Sequence, residues 1–357
     1  MATKLFDGKR ILVTGGTGSL GKILLRRLLG GEAGDPERII VFSRDEAKQH
    51  FLRVEYESGP AATEEVIYRN FQRKLQFWIG DVRDFDSVAS ALRNIDIVIN
   101  AAAMKQVPTC EYFPYEAVRT NIEGAENIVR AIQKHNLKVE TVVGVSTDKA
   151  CKPVNAMGMT KAIQERIFIQ GNMRCPGTRF VCTRYGNVLA SRGSVIPLFH
   201  EQIRNGGPLT ITTPDMTRFL LTLDHAVDTV LAAIAGALPG DTYVPRAPAS
   251  RIADVAAVLI GDRPVRTITT GIRPGEKVHE IMVSDEEAHR TVERGDWYAI
   301  LPMLPEVCGE RTGSGCLKKE YSSNDKVLDL EETRELLARH HLMVEDLPNR
   351  RGGELLR

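Results

Sequence analysis

A chain of 357 residues has room for a large core and for two lobes. Its 47 basic and 46 acidic residues leave a net charge of +1, so no global field points to nucleic acid or to a membrane surface. No apolar run is long enough to span a membrane, no charged-then-apolar targeting pattern opens the sequence, and the six cysteines form no C-x-x-C pair; a protein with reduced thiols, in the cytoplasm, is expected. Cys308 and Cys316 with His340 and His341 fit no standard metal spacing, so no metal is expected.

Residues 10–14 (R-I-L-V-T) suit a short buried strand and run straight into Gly15-Gly16-Thr17-Gly18-Ser19-Leu20-Gly21. Helical apolar spacing follows over 22–29, through Ile23, Leu24 and Leu28. Strand, glycine turn and helix make a G-x-x-G-x-x-G fingerprint. Its glycines let backbone approach a dinucleotide closely, with the helix N-terminus facing the pyrophosphate. The second strand, 38–42, ends in Ser43-Arg44-Asp45. An NAD site wants an acidic residue here for the ribose hydroxyls, whereas a serine and an arginine suit the 2′-phosphate of NADP. NADP is therefore the expected cofactor, with NAD as the alternative. The other reading of Arg44 is a solvated helix-start residue paired with a carboxylate.

Residues 45–57 read as a helix and 58–63 as a loop. A third strand, 75–79, ends in Gly80-Asp81-Val82 before a helix over 84–92 with an acidic first turn. The fourth strand, 95–100, runs into Ala101-Ala102-Ala103-Met104-Lys105, where small side chains allow close approach and Lys105 can reach a phosphate or a sugar. A long amphipathic helix spans 116–134, and Asn121 within it is costly unless its amide has a use. The fifth strand, 141–145, breaks into Ser146-Thr147-Asp148-Lys149; Pro153 and Gly158 then precede a helix from about 159 to 172, and 179–184 supplies a sixth strand.

Strands alternating with helices at this spacing predict an α/β fold built on a doubly wound parallel Rossmann sheet. Ligands of such sheets lie outside the carboxyl ends of the strands. A hydroxyl, a carboxylate and an amine delivered together past the fifth strand read as a proton-transfer site; the plainer reading is a polar loop with a helix cap. After Tyr185-Gly186-Asn187-Val188 the texture changes: a glycine-containing stretch over 191–197, a short strand at 209–212, a returning helix over 224–236 and a returning strand over 241–245. The basic loop 271–277 is expected to precede a short helix, and the tail from about Asp285 reads as polar and irregular, ending in a helix over 330–340. The expected organisation is a Rossmann domain over 1–185 with partial return crossings from the second half, a smaller α/β substrate lobe over 186–287, and a C-terminal extension over 288–357.

With the fingerprint, Asn121, Ser146 and Lys161 in place, the chain resembles an extended short-chain dehydrogenase/reductase. That superfamily usually carries a tyrosine where Met157 stands, ahead of the helix lysine, Lys161. The stretch S-T-D-K-A (146–150) followed by P-V-N-A-M-G-M-T-K (153–161) resembles the bacterial UDP-N-acetylglucosamine 4,6-dehydratases of capsule and O-antigen pathways, a subset of which carries that methionine. Residues 43–49, 101–108, 184–197, 214–219 and 273–277 are similar as well, and 320–324 resembles a tail segment of capsule-type members.

The resemblance implies that NADP takes hydride from C4 of a UDP-sugar and that the C5 proton then becomes acidic. The C6 hydroxyl leaves as water and the hydride returns to C6. Lys149 matches the base and Asp148 the acid, Thr147 would hydrogen-bond the reacting hydroxyl, and Lys161 would hold the nicotinamide ribose. A base lysine must be partly neutral, and a second cation such as Lys161 or Lys105 is expected to favour that. Met157 cannot move a proton, which leaves Asp148, through Thr147 or a water, or else a different chemistry. Tyr185, the nearest phenol, reads as packing. Cofactor contacts are implied for the turn (Gly15, Thr17, Gly18, Ser19, Leu20, Gly21), for Ser43, Arg44, Lys48, Asp81 and Val82, and for Ala101, Lys105, Asn121 and Val188. Substrate contacts are implied for Lys105, Asn187, Ser194, Arg218, Arg273 and Glu276, the arginines suiting a diphosphate. No nucleic acid or membrane partner is implied, and a homo-oligomer is expected by analogy. The alternatives are a UDP-sugar 4-epimerase or 5,6-dehydratase on the same scaffold and, in another class, a non-catalytic NADP-binding scaffold.

Overall fold

The computed structural model of the protein describes residues 4–58, 64–189, 194–311 and 315–346. Most of the expected 58–63 loop, and Ser191, Arg192 and Gly193, lie outside them. The first half alternates strand and helix: β1 (Arg10–Thr14), α1 (Ser19–Leu29), β2 (Arg38–Ser43), α2 (Glu46–Ser58), α3 (Glu65–Lys74), β3 (Leu75–Ile79), α4 (Phe85–Ala91) and β4 (Ile97–Asn100). Two short helices, α5 (Val107–Tyr112) and α6 (Pro114–Ala117), lead through a π-helical turn, Val118–Glu123, into α7 (Gly124–His135). Then come β5 (Thr141–Thr147), a 3₁₀ turn (Asp148–Ala150), α8 (Ala156–Arg174) and β6 (Arg179–Tyr185).

The second half contains α9 (Val195–Arg204), β7 (Leu209–Ile211), β8 (Thr217–Phe219), α10 (Leu223–Gly236), β9 (Thr242–Pro245), β10 (Ala249–Arg251), α11 (Ile252–Ile260) and β11 (Thr267–Thr269). It continues with β12 (Ile281–Val283), α12 (Asp285–Ala288), β13 (Thr291–Arg294), β14 (Trp297–Ile300), α13 (Pro305–Cys308), β15 (Tyr321–Ser322) and α14 (Leu330–Arg339).

One sheet organises the molecule, in the order β13-β14-β9-β6-β5-β4-β1-β2-β3. From β3 to β9 the pairs are parallel. Strands buried on both faces read as continuous apolar runs, and here alternate residues feed two separate cores. Ile11, Val13, Val41, Ile99 and Val143 pack under α1 and α10. Leu12, Ile40, Val98, Val142 and Phe180 pack under α4, α7 and α8. A third core joins α9, β7 and α11 to Leu337 of α14. Among the described residues no helix is long and apolar enough to cross a membrane.

Six elements differ from expectation. Helix α3 is new; its apolar stripe (Ile67, Phe71) is short and set among charges, which hides the period. Helices α5 and α6 each carry proline in the first turn, where its missing N–H costs nothing. The basic loop is followed by a strand, β12, because Ile281-Met282-Val283 pairs with β15. The tail is not irregular: β13 and β14 form a hairpin that adds antiparallel to β9, with Trp297 opposite Pro245.

A buried guanidinium fastens this second half to the sheet. Arg184, on β6, is 3 % exposed and donates to both oxygens of Glu165 on α8, to both of Glu287 on α12, and to the Met282 carbonyl of β12 at 2.8 Å. Burial alone would raise the Glu287 carboxyl, but Arg184 and the Ser284 amide outweigh it and hold it down at about 2. Glu287→Gln should cost about 3–5 kcal/mol at neutral pH, the range for breaking a buried pair. Because the folded pKa lies below the unfolded one, this contribution is complete above about pH 4.3 and is lost as pH falls toward the folded value. Urea unfolding of both proteins should therefore give a gap that narrows in acid; a gap independent of pH would count against this account.

Candidate active site

Strand order reverses between β1 and β4, and at such a switch point a crevice opens past the strand ends. Gly15 lies at that crevice with φ of 67°, and a Cβ there would stand 2.8 Å from the Ala102 backbone, just after Ala101. Gly21 is as tightly placed, since a Cβ would meet the Gly16 carbonyl oxygen at 2.4 Å. Gly18 forms the N-cap of α1 without a side-chain bond, and Ser19 and Leu20 begin the helix, so its first N–H groups face outward from a turn only glycine can make. This cradle fits a dinucleotide pyrophosphate.

The adjoining strand ends complete it. Thr17 Oγ1 lies 3.4 Å from Ser43 Oγ. Arg44 is exposed and stands 3.7 Å from Asp81, so it is paired with a carboxylate as the plainer reading of it expects. Asp81 also grips Arg83 through both carboxylate oxygens, and Lys48 is paired with Asp45. Val82 packs beneath Gly124, and Lys105 lies exposed beyond β4. Asn121 has the use its position demanded. From the π-helical turn its amide accepts from Met104 N–H at 2.8 Å and donates to the Met104 carbonyl and Thr160 Oγ1, pinning the loop after β4 to α8. It thus acts on the cradle by holding it.

At the end of β5 the regular strand stops at Thr147, and the 3₁₀ turn removes the alternation that would have sent Asp148 and Lys149 to opposite faces. Thr147 Oγ1 donates to Asp148 Oδ1 at 2.8 Å. Asp148 is fully buried, and its Oδ2 has no partner among the described residues. It lies over Gly186, where a Cβ would approach that oxygen to 3.2 Å. Lys149 Nζ donates to Asp148 Oδ1 at 3.1 Å and to Asn187 Oδ1 at 3.3 Å, and it pairs with Glu280 Oε1 at 3.1 Å.

Burial pushes the Asp148 carboxyl up even with Lys149 beside it. For Lys149 burial works downward, but Asp148 and Glu280 outweigh it and Arg218, so the ammonium is held charged. This corrects the expectation that a neighbouring cation keeps Lys149 partly neutral. Lys161 faces elsewhere, donating to the Val145 carbonyl at 2.5 Å and to Gln164 at 2.7 Å, with burial pulling its pKa down to about 8.

Met157 is 4 % exposed and packs with Cys110 and Ala117. Tyr185 is buried in the largest core, as packing. In the second half of the chain Val188 bridges to Leu221, and Ser194 stands at the N-cap position of α9 with its hydroxyl buried and without a partner among the described residues. Arg273 is exposed, 4.0 Å from Glu276, whose Oε2 is buried without a partner among the described residues. Arg218 departs from the expected diphosphate contact. Its guanidinium is committed to the carbonyls of Thr217, Lys277 and Val278 and lies 3.7 Å from Glu280, so it clamps the basic loop. Glu280 was not anticipated. It follows the R-P-G-E-K stretch as one charge among several, and its only sequence signal is that the apolar strand Ile281-Met282-Val283 comes next.

The doubly wound sheet, the glycine cradle at its switch point and the polar corner beyond β5 define the extended short-chain dehydrogenase/reductase fold. Within it, the chain belongs to the polysaccharide biosynthesis protein family, whose model matches residues 11–302. A Rickettsia conorii protein named UDP-glucose 4-epimerase is 43% identical over 357 residues, covering 97% of this chain and 100% of the relative. The X-ray structure of Pen from Bacillus thuringiensis has a TM-score of 0.82 at 33% identity, covering 95% of this chain and 99% of its own. DesIV, the dTDP-glucose 4,6-dehydratase of Streptomyces venezuelae with NAD bound, shares the fold at a TM-score of 0.63 and 22% identity, covering 75% of this chain and 86% of its own.

If Met157 is packing, its volume matters and its sulfur does not. Met157→Leu should cost under about 1.5 kcal/mol, while Met157→Tyr should overpack the Cys110–Ala117 pocket by about 1–3 kcal/mol. Denaturant midpoints of the three proteins check this.

Proposed function

We propose that the protein modifies a nucleotide sugar as an NADP-dependent UDP-N-acetylglucosamine 4,6-dehydratase. The observation that carries this reading is the buried Thr147–Asp148–Lys149 corner, an acid and an amine side by side where β5 ends. The glycine cradle would hold the cofactor's pyrophosphate, Ser43 and Arg44 its 2′-phosphate, and Lys161 its nicotinamide ribose once released from Val145. NAD, bound in the DesIV structure, is the alternative. A nicotinamide held there would supply reversible hydride exchange with the sugar.

The chain's own groups move the protons. Thr147 bonds the C4 hydroxyl and passes its proton to Asp148, whose carboxyl is drawn toward protonation by burial and toward ionisation by Lys149. The same carboxyl then gives that proton to the departing C6 hydroxyl, so Met157 has no proton to carry. Lys149, once neutral, takes the proton from C5 and later restores it. Asn187, Ser194, Arg273 and Glu276 are the groups of the lobe over 186–287 that would hold the UDP moiety; the unpartnered buried oxygens of Ser194 and Glu276 support this, since such atoms are costly unless a ligand meets them. A cytoplasmic homo-oligomer completes this reading.

The second reading is a 4-epimerase, the activity named for the Rickettsia relatives. Simple epimerisation at C4 needs neither an acid for C6 nor a base for C5, so it leaves the Asp148–Lys149 pair without work. Mass spectrometry of UDP-N-acetylglucosamine incubated with the purified protein and no added cofactor separates the two. Loss of one water is expected; an unchanged mass at a new retention time would establish the epimerase instead. Lys149→Ala should lower turnover at least about 10²-fold, the usual scale of general base catalysis, while nucleotide binding persists; a variant as active as the parent would remove Lys149 from the mechanism.

A further inference from the structure

The dehydratase reading leaves one step open: Lys149 rests as an ammonium, and a base must first lose a proton. The structure places a second carboxylate on that amine. Glu280 Oε1 lies 3.1 Å from Lys149 Nζ, as close as Asp148 Oδ1 on the other side. Glu280 is 2 % exposed, and its Oε2 has no partner among the described residues.

Its placement is enforced by parts of the chain far from β5. Ser323 Oγ accepts from Glu280 N–H at 3.0 Å and Ser323 N–H donates to the Glu280 carbonyl at 2.8 Å, while Thr217 Oγ1 meets Ser323 Oγ at 2.7 Å. Arg218 Nε stands 3.7 Å from Oε1. Immediately after Glu280, β12 is gripped by Arg184 through the Met282 carbonyl. A glutamate held from three directions with one oxygen unused is costly as a purely structural device.

We propose that Glu280 is a positioning residue that receives the proton Lys149 must shed. This rests on the elimination reading above. An N–H bond of Lys149 breaks and an O–H bond forms on Glu280, so ammonium and carboxylate become amine and acid with no change in total charge. The neutral amine takes the C5 proton, and after the proton is restored to C5 the acid returns its own to Lys149. Water drives the direction. The Lys149 side chain keeps 22 % of its surface exposed, and that water favours the charged pair; a sugar sealed over the amine removes it and penalises two charges more than two neutral groups. The other charges facing the pair are Asp148 from the 3₁₀ turn, Arg218 from β8 and Lys277 from the basic loop. At rest Glu280 is ionised: burial would raise its carboxyl, but Lys149 and Arg218 outweigh that.

Transfer within a pair leaves the number of bound protons unchanged, so it does not depend on pH between the pair's two macroscopic pKa values. The test is the pH profile of kcat for dehydration of UDP-N-acetylglucosamine by the full-length protein and by Glu280→Gln. The wild-type profile should be flat from about pH 6 to 8. In E280Q, Lys149 must deprotonate to solvent, so kcat should fall at least tenfold at neutral pH and climb about tenfold per pH unit across the same range, with KM within threefold. A wild-type and an E280Q profile of the same shape and height overturn the proposal. If E280Q does not fold, Glu280→Asp takes its place: a lower but flat profile supports the transfer, and a steep one overturns it. A wild-type protein that removes no water from the sugar overturns the elimination reading itself, a result distinguishable because it is seen before any variant is made.

Discussion

The buried contact between Arg184 and its two glutamates is the constraint on which the rest of the site depends. A guanidinium inside a parallel sheet is tolerated only when every donor is answered, and here the answers come from α8 on one side and from β12 and α12 on the other. The same guanidinium therefore fixes the helix that carries Lys161 and the strand that follows Glu280. The amine past β5 faces a carboxylate from a distant stretch of chain because that stretch is tied to the neighbouring strand. Ser146 joins this network through Glu165 at 2.5 Å, which makes it a support of the corner.

The corner combines two opposing tendencies of burial. It pushes Asp148 toward the neutral acid, while two carboxylates keep Lys149 charged against the same desolvation. Both groups are thereby drawn toward their protonated forms, the carboxyl by burial and the amine by its two carboxylate neighbours. Asn121 has the complementary role: within a π-helical turn, a feature often found at functional sites, it ties the fourth strand's loop to the helix behind the fifth.

What was legible in the sequence is what local rules decide. Residues 10–21 announce strand, turn and helix because Gly15 and Gly21 stand where a Cβ would collide with backbone, and the S-T-D-K stretch announces the end of β5 to within two residues, Ser146 and Thr147 still belonging to the strand. The hairpin over 291–300 was not legible, since its pairing to β9 is set by tertiary position and its own residues include charges. Arg218 and Glu280 were misjudged or missed for one reason. A charged side chain in sequence carries no mark of whether its partners will be backbone carbonyls, a diphosphate or another side chain, and only the folded loop over 273–280 decides that.

Gly186 carries a consequence for how such a scaffold can diversify. Even a methyl group at this position would press on Asp148 Oδ2 and on the Phe219 side chain, so the floor beneath the acid admits no elaboration. Arg273, exposed on the basic loop, is under no such restriction. A lineage that inherits this framework is free to vary that loop, whereas the ground under Asp148 must stay bare.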